Sequence, residues 1–524
     1  MTKFRTSSFD LSGFRWFILL FFSTVGFILT YHSEKSPLFG GYGSDGLAYG
    51  HFSLGFEKEF REHRVPIRML ERVLPVYAVH LMLKIQGVEP VPEKMIIPEE
   101  QVGFHHKVLE AYMLYNLLVF IASVFFWMLI TEKLNLGISS TLVSSFLLFV
   151  NFANIKQYFY EPVMIDPTVF FAGILLAFSL AFRSYTALYF VAVITLFINA
   201  AAVYYCLVVA AFPLSSPPLK QAAIHGKFQS RLFALAVTLF ISGLAIYYFF
   251  SPLCPEGSEP TEIPTAKNWF PLSLVAVAVY VFAGFLSLTD SLLQVNPVAA
   301  LRTFRWKPWL ILLLVMLLVQ YFFNKYGARL SEEICADKPF TVWNYFIYSL
   351  RYSYARPAAM ASAHFAYFGL AFISLSIYWR QIIQEGSNYG LGTLLILSMT
   401  LLHSLTSETR HLLFMFPVSM MLLFSAFREI KFNSLTVAII LLLCIAASKV
   451  WFPINPLNSE DYIFHPEPLQ QMLHSPLQKY FMNLGPWMNN RMYLLHLLLG
   501  VAAFVVCGAI IRTKPKLVYD SVNA

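Results

Sequence analysis

The sequence is poor in charge. Asp, Glu, Lys and Arg together make up 13% of its 524 residues, against about a quarter in a soluble globular chain. With 58% hydrophobic and 17% aromatic residues, that shortage excludes an ordinary solvated surface and points to a polytopic membrane protein. Cysteine is scarce as well, five in all, and no pair has metal-type spacing. Cys206, Cys444 and Cys507 fall within apolar runs and read as packing residues. Cys254 and Cys335 fall in expected outer loops, where a disulfide could persist in a bacterial envelope. No Asn-x-Ser/Thr sequon occurs, which favours a bacterial source. Nor is there an internal repeat, a low-complexity linker or a separate soluble domain, so the reading is one membrane-embedded domain over 1–524.

What the chain does have is apolar runs of roughly 18 to 22 residues, the length that crosses about 30 Å of hydrocarbon as helix. The first, Phe14–Tyr31, follows Lys3 and Arg5, and no small-residue cleavage site succeeds it. It is expected to be a retained first helix with its N-terminus inside. The net charge of +8 is spread over short loops rather than gathered in a patch, so nucleic acid is excluded as a partner and the lipid bilayer is the expected one. Two runs, 185–198 and 200–213, are short. Read as two helices meeting near Asn199, they place the loops with Lys220, Lys227 and Arg231, with Arg302, Arg305 and Lys307, and with Arg428 and Lys431 on the cytoplasmic side. The expectation is an all-α bundle of about 12–14 transmembrane helices with both termini cytoplasmic. Its extracytoplasmic loops are 32–107, 325–357 and 451–490.

Three stretches expected on the extracytoplasmic side, one of them in a further outer loop at 156–167, carry chemistry. "GGYGSDGLAYG" (Gly40–Gly50) sets one carboxylate, Asp45, among five glycines, with Tyr42 and Tyr49 offering stacking faces for a sugar. A carboxylate beside lipid and rings is raised by desolvation into the range of a general base; the plainer reading is a turn aspartate. "EKEFREHRVPIRMLERVLPVYAVHLML" (Glu57–Leu83) repeats arginine at 64, 68 and 72. On one helix, tolerating Pro66 near its start, those three would share a face. That helix reads either as an amphipathic element on the membrane surface or as a clamp for a lipid-linked phosphate. Around Pro162, Glu161 and Asp166 stand five apart. They could join Asp45 around a divalent cation, or favour the N-terminus of the helix that follows. The histidines show no sustained ligand spacing and read as packing or interface residues.

Four segments of the chain resemble bacterial membrane glycosyltransferases of the GT-C fold. They are "SDGLAYG" followed by "RMLERVLPVYA", then "YFYEPVMIDPTVFFAGILLAF" (158–178), the short pair around Asn199, and "SETRHLLFMFPV" (407–418). The chain has "NAAA" where family members often carry a basic–acidic pair, and Gly46 where a second acid often stands beside the first-loop aspartate. The resemblance implies transfer of a sugar from a polyprenyl-phosphate carrier to a glycan, lipid or protein acceptor at the outer face of the bacterial cytoplasmic membrane. It gives Asp45 the role of base or metal contact. The phosphate would then need positive charge around it. Arg410 in the "SETRH" turn is the first candidate, with Glu408 beside it and Arg68, Arg72 and Arg356 behind; the bland alternative is that Glu408 and Arg410 only anchor helix ends. Rival readings are a transporter or flippase of a lipid-linked saccharide and a non-catalytic membrane scaffold.

Overall fold

The structure, a computed structural model, describes residues 11–35, 42, 46–88, 102–217, 227–250, 269–328, 347, 350, 353–354, 356–451 and 490–513. Asp45, Cys254 and Cys335 lie outside the described residues, as do most of the loops expected at 325–357 and 451–490. Among the described residues there is no strand, only an isolated bridge between Pro66 and Ala328. Everything else is helix and turn, as a chain in lipid requires: backbone N–H and C=O groups with no water must be satisfied within the segment.

The helices are α1 (Leu11–His32), α2 (Gly46–Arg61), α3 (Ile67–Leu70), α4 (Val73–Ile85), α5 (Val102–Lys133) and α6 (Ile138–Phe149). A π-helix, Phe152–Gln157, runs into α7 (Tyr158–Tyr160). Then come α8 (Asp166–Ala181), α9 (Tyr185–Thr195), α10 (Ala200–Ala210), α11 (Lys227–Phe250), α12 (Phe270–Gln294), α13 (Pro297–Arg302) and α14 (Trp306–Tyr326). The last group is α15 (Ala359–Phe368), α16 (Leu370–Ile377), α17 (Trp379–Asn388), α18 (Leu391–His403), α19 (Phe416–Ala426), α20 (Ser434–Ser448) and α21 (Asn490–Thr513). Among the described residues α12, α14 and the main parts of α1, α5 and α11 are long and apolar enough to cross a membrane. The pair Ile138–Phe149 and Phe152–Tyr160, bent by 63°, would make a sixth span. Further apolar helices run 10–17 residues. This is a multi-pass helical membrane protein.

Two poles emerge from the contacts. At one, Arg305 donates its backbone N–H to Ala211 at 2.8 Å and lays its guanidinium 3.5 Å over the Tyr185 ring. Tyr185 in turn accepts from the Leu214 amide at 3.0 Å. The start of α9 and the end of α10 therefore meet at the same pole, and the chain reverses between them at Asn199, whose side chain caps α10 by accepting from the Ala201 amide at 2.9 Å. Arg183 joins this pole through the Asn388 carbonyl at 3.3 Å. At the opposite pole the Leu74 amide donates to Phe197 at 2.9 Å, so α4 sits on the α9–α10 reversal.

The arginine repeat does not ride on a single helix. The chain turns out of α2 at His63, a left-handed residue with φ 55°, and Pro66, which has no N–H to continue a ladder, precedes the short α3. A second break at Arg72 opens α4. Arg64 consequently pairs locally with Glu62 at 3.1 Å instead of extending a face with Arg68 and Arg72.

Close helix approach is set by glycine. A Cβ on Gly173 of α8 would stand 2.2 Å from the Phe414 carbonyl oxygen, a backbone atom that cannot swing away. Gly243 of α11 has nothing within 4 Å of the same position. Gly173→Ala is therefore expected to lower stability by about 1–3 kcal/mol through overpacking, whereas Gly243→Ala should stay within about 0.5 kcal/mol of wild type. Thermal unfolding of both variants in one detergent checks the contrast; equal melting temperatures would contradict it.

Candidate functional site

Polar groups concentrate at the pole that carries α3, the α8 N-terminus and the turn between α18 and α19. That turn begins when α18 stops at His403, and a short 3-10 segment, Thr409–Leu412, follows. It is held by His364 of α15, a fully buried ring that bridges two points of the turn. Its Nε2 lies 2.8 Å from the Ser404 carbonyl, which can only accept, so Nε2 carries the proton. Nδ1 is then the acceptor for the Thr409 hydroxyl at 2.9 Å. His403 stacks on His411, centroids 5.9 Å apart, and meets the Tyr205 hydroxyl at 2.9 Å.

The turn presents an ion pair. Arg410 Nε donates to Glu408 Oε1 at 2.6 Å, and His411 Nε2 lies 3.7 Å from the other carboxylate oxygen. Glu408 precedes the 3-10 segment without a side-chain capping bond. Burial first, then the charges of Arg410, Arg72 and Arg68, hold His411 well below the usual imidazole range. That influence places three of the arginines from the sequence reading within electrostatic reach of one ring. Around Tyr367 of α15, whose hydroxyl donates to Gln157 Oε1, stand Asp166, Arg410, Glu161 and Glu408, near enough for their charges to act on it. Three carboxylates and three guanidiniums thus share one pole.

Glu161 and Asp166 flank the α8 entry, but not as caps. The N-cap is Ile165 with no side-chain bond, and Asp166 is the first helical residue, followed by Pro167. Its negative charge in the first turn still complements the helix dipole. Among the described residues no group of three His, Cys, Asp or Glu is placed to hold a metal ion, so a divalent cation at Glu161 and Asp166 would have to draw on a residue such as Asp45.

Tyr42 and Tyr49 do not offer open faces. Both are 1% exposed, with the Tyr42 ring filling the space beside Gly50, where a Cβ would come within 2.3 Å of Tyr42 Cε1. Tyr49 instead accepts a hydrogen bond from Arg72 through its hydroxyl, which fixes the guanidinium. A polar stack under it, Ser53 Oγ to the Tyr112 hydroxyl at 2.7 Å, explains why a tyrosine is stable so deep in the core. Arg356 is also buried, its guanidinium 5.3 Å from the Tyr493 ring of α21 and lowered to about 10 by burial.

Some of the site was invisible in the sequence. Lys156, 4% exposed within the π-helix, pairs with Glu34 at 3.2 Å. Lys35 donates to Phe159 O and Thr30 O at 2.8 Å and to Ser33 Oγ at 3.1 Å, tying the end of α1 to α7. The one available signal was a lysine inside an apolar run, "NIKQYFYEP" (154–162).

The fold and these side chains define a helical membrane protein with one charged pole. No family model, curated protein or solved structure matches the chain.

Lys35 generates a pH test. Burial, and then the neighbouring Lys156 charge, lower its ammonium to about 8 from an ordinary 10.5. The folded state therefore disfavours the charged form, fully so below pH 8, and is relieved as pH rises toward 10.5. Relative to Lys35→Met, wild type should gain stability between pH 8 and 10, by on the order of 2 °C in melting temperature. A difference that is flat or shrinks over that range would show that Lys35 is not held in this way.

Proposed function

We propose that this protein is a membrane glycosyltransferase that moves a sugar from a polyprenyl-phosphate carrier to a glycan, lipid or protein acceptor at the outer face of a bacterial cytoplasmic membrane. In this reading the short apolar helices count as membrane segments, giving a GT-C-like bundle of about 12–14, with both termini and the Arg183–Arg305 pole cytoplasmic. The observation that carries the proposal is the gathering of Arg68, Arg72 and Arg410 about His411, beside Glu408, Glu161 and Asp166.

The chemistry needs both signs of charge. The acceptor hydroxyl gives up a proton to a carboxylate as its oxygen bonds the anomeric carbon. The bond from that carbon to the phosphate oxygen breaks, and the polyprenyl phosphate leaves with the electron pair. Guanidiniums suit the leaving phosphate, since they pair with its oxygens in a fork and stabilise charge that grows in the transition state. Asp45, outside the described residues, is the proposed base, and the Glu408–Arg410 pair shapes the phosphate end. In this reading Glu161 and Asp166 would join Asp45 in holding a divalent cation.

A second reading has one observation in its favour. The bent pair α6 and α7 breaks at buried polar residues, Asn151, Asn154, Lys156 and Gln157, as discontinuous helices do in transporters. A flippase of a lipid-linked saccharide would use the same cationic pole.

Asp45→Asn separates them. The amide keeps the shape but cannot take a proton at neutral pH, so sugar transfer by the purified protein should fall about 10²- to 10⁴-fold while the melting temperature holds. Near-normal transfer would remove Asp45 from the mechanism. In cells lacking the gene, loss of one sugar from surface glycolipids supports the transferase, and intracellular build-up of a complete lipid-linked product supports the flippase.

A further inference from the structure

A cleft of about 500 Å³ opens between α2, α4 and α14. The α2 residues that line it, Phe56 to Arg61, follow a kink at Gly55. Its floor is aromatic. Phe60 stacks on Phe56 with centroids 5.9 Å apart and on Tyr326 at 6.3 Å, and Tyr77 stands edge-on to Phe56 at 5.3 Å. His63 closes one side, stacked on Tyr326 at 5.5 Å and donating from Nδ1 to its carbonyl at 3.2 Å.

Charge at the rim is uneven. Glu57 is engaged by Lys84 at 2.8 Å, and Arg64, just outside the cleft, pairs with Glu62 at 3.1 Å. Arg61 lines the cleft, is exposed, and has no ion pair among the described residues. The cleft therefore has an apolar base and one uncompensated guanidinium at its lip.

Its flanks face lipid. On α14 the exposed apolar residues include Leu314, Leu317, Leu318 and Tyr321, and on α4 they include Leu74, Tyr77, Leu81 and Ile85. The same two helices give Tyr77 and Tyr326 to the cleft, and apolar surface of this extent on a membrane helix is covered by acyl chains. The ring faces are largely used up by stacking on one another, which leaves edges suited to a hydrocarbon chain rather than an open platform for a sugar.

We propose that this cleft binds an anionic phospholipid, with an acyl chain along Phe56, Phe60 and Tyr77 and the phosphate on Arg61. The guanidinium meets the phosphate oxygens bidentately, at the depth where an interfacial arginine places its charge. The cleft shares no residue with the site proposed for sugar transfer and does not depend on that reading.

The test is thermal unfolding of the full-length protein in neutral detergent with phosphatidylglycerol, phosphatidylcholine, inorganic phosphate or maltopentaose. Phosphatidylglycerol well above its dissociation constant should raise the melting temperature by on the order of 5 °C, and phosphatidylcholine by clearly less. Arg61→Gln should abolish that difference, Tyr77→Ser should weaken it, and Arg64→Gln should leave it in place. Equal shifts with both lipids, or a preference that survives Arg61→Gln, would overturn the proposal. A full shift with inorganic phosphate alone, or with maltopentaose in place of the lipid, would overturn it too. If Arg61→Gln does not fold, retention of the two lipids by wild type in native mass spectrometry decides: no preference for phosphatidylglycerol ends the idea.

Discussion

The Glu408–Arg410 ion pair is what the polar pole depends on. At 2.6 Å, with side chains only 11% and 20% exposed, it keeps two charges where water has largely been removed. Taking ions out of water costs several kcal/mol each unless a partner and further hydrogen bonds compensate. Here the compensation is built from both sides of the turn. His364 braces Ser404 and Thr409, and His403 backs His411 through ring stacking. The turn in turn fixes the descent into α19, where the Phe414 carbonyl comes against Gly173. A residue with a side chain at 173 would push the turn, and the pair with it, away from α8.

The same economy of buried polarity explains the break between α6 and α7. A 63° bend frees carbonyls at the end of α6, which hydrocarbon would leave unsatisfied. Asn151 and Asn154 both donate to Leu148 O, at 2.7 and 2.6 Å, and Asn151 also accepts from the Asn154 amide at 3.1 Å. The bend brings Lys156 to Glu34 and Gln157 to Tyr367. The charged pole and the broken span are one polar system, surrounded by helices whose outer faces carry leucine, phenylalanine and valine.

Much of the helical frame could be read from composition and run length, because lipid enforces both. The reversal at Asn199 was legible for the same reason: two runs too short to span singly, with a good N-cap residue between them. Side-chain orientation was not. The arginine spacing in 57–83 suggested one helix face, and only the left-handed His63 and the second break at Arg72 divide it. Tyr42 and Tyr49 looked like sugar platforms because a glycine-rich stretch surrounds them, yet that glycine, Gly50, is what lets the Tyr42 ring sink into the core. Lys156 and Glu34 are 122 residues apart and meet only once α1 and the π-helix pack, a pairing no local pattern announces.

What remains is whether the pole's positive charge serves a lipid phosphate. Arg410 is paired with Glu408 and still a fifth exposed, so a ligand can reach it. The decisive measurement is the dissociation constant of undecaprenyl phosphate for the purified full-length protein, wild type against Arg410→Ala. The account predicts binding about 10- to 100-fold weaker in the variant, the worth of a charge-assisted hydrogen bond. Unchanged affinity in a folded variant would contradict it.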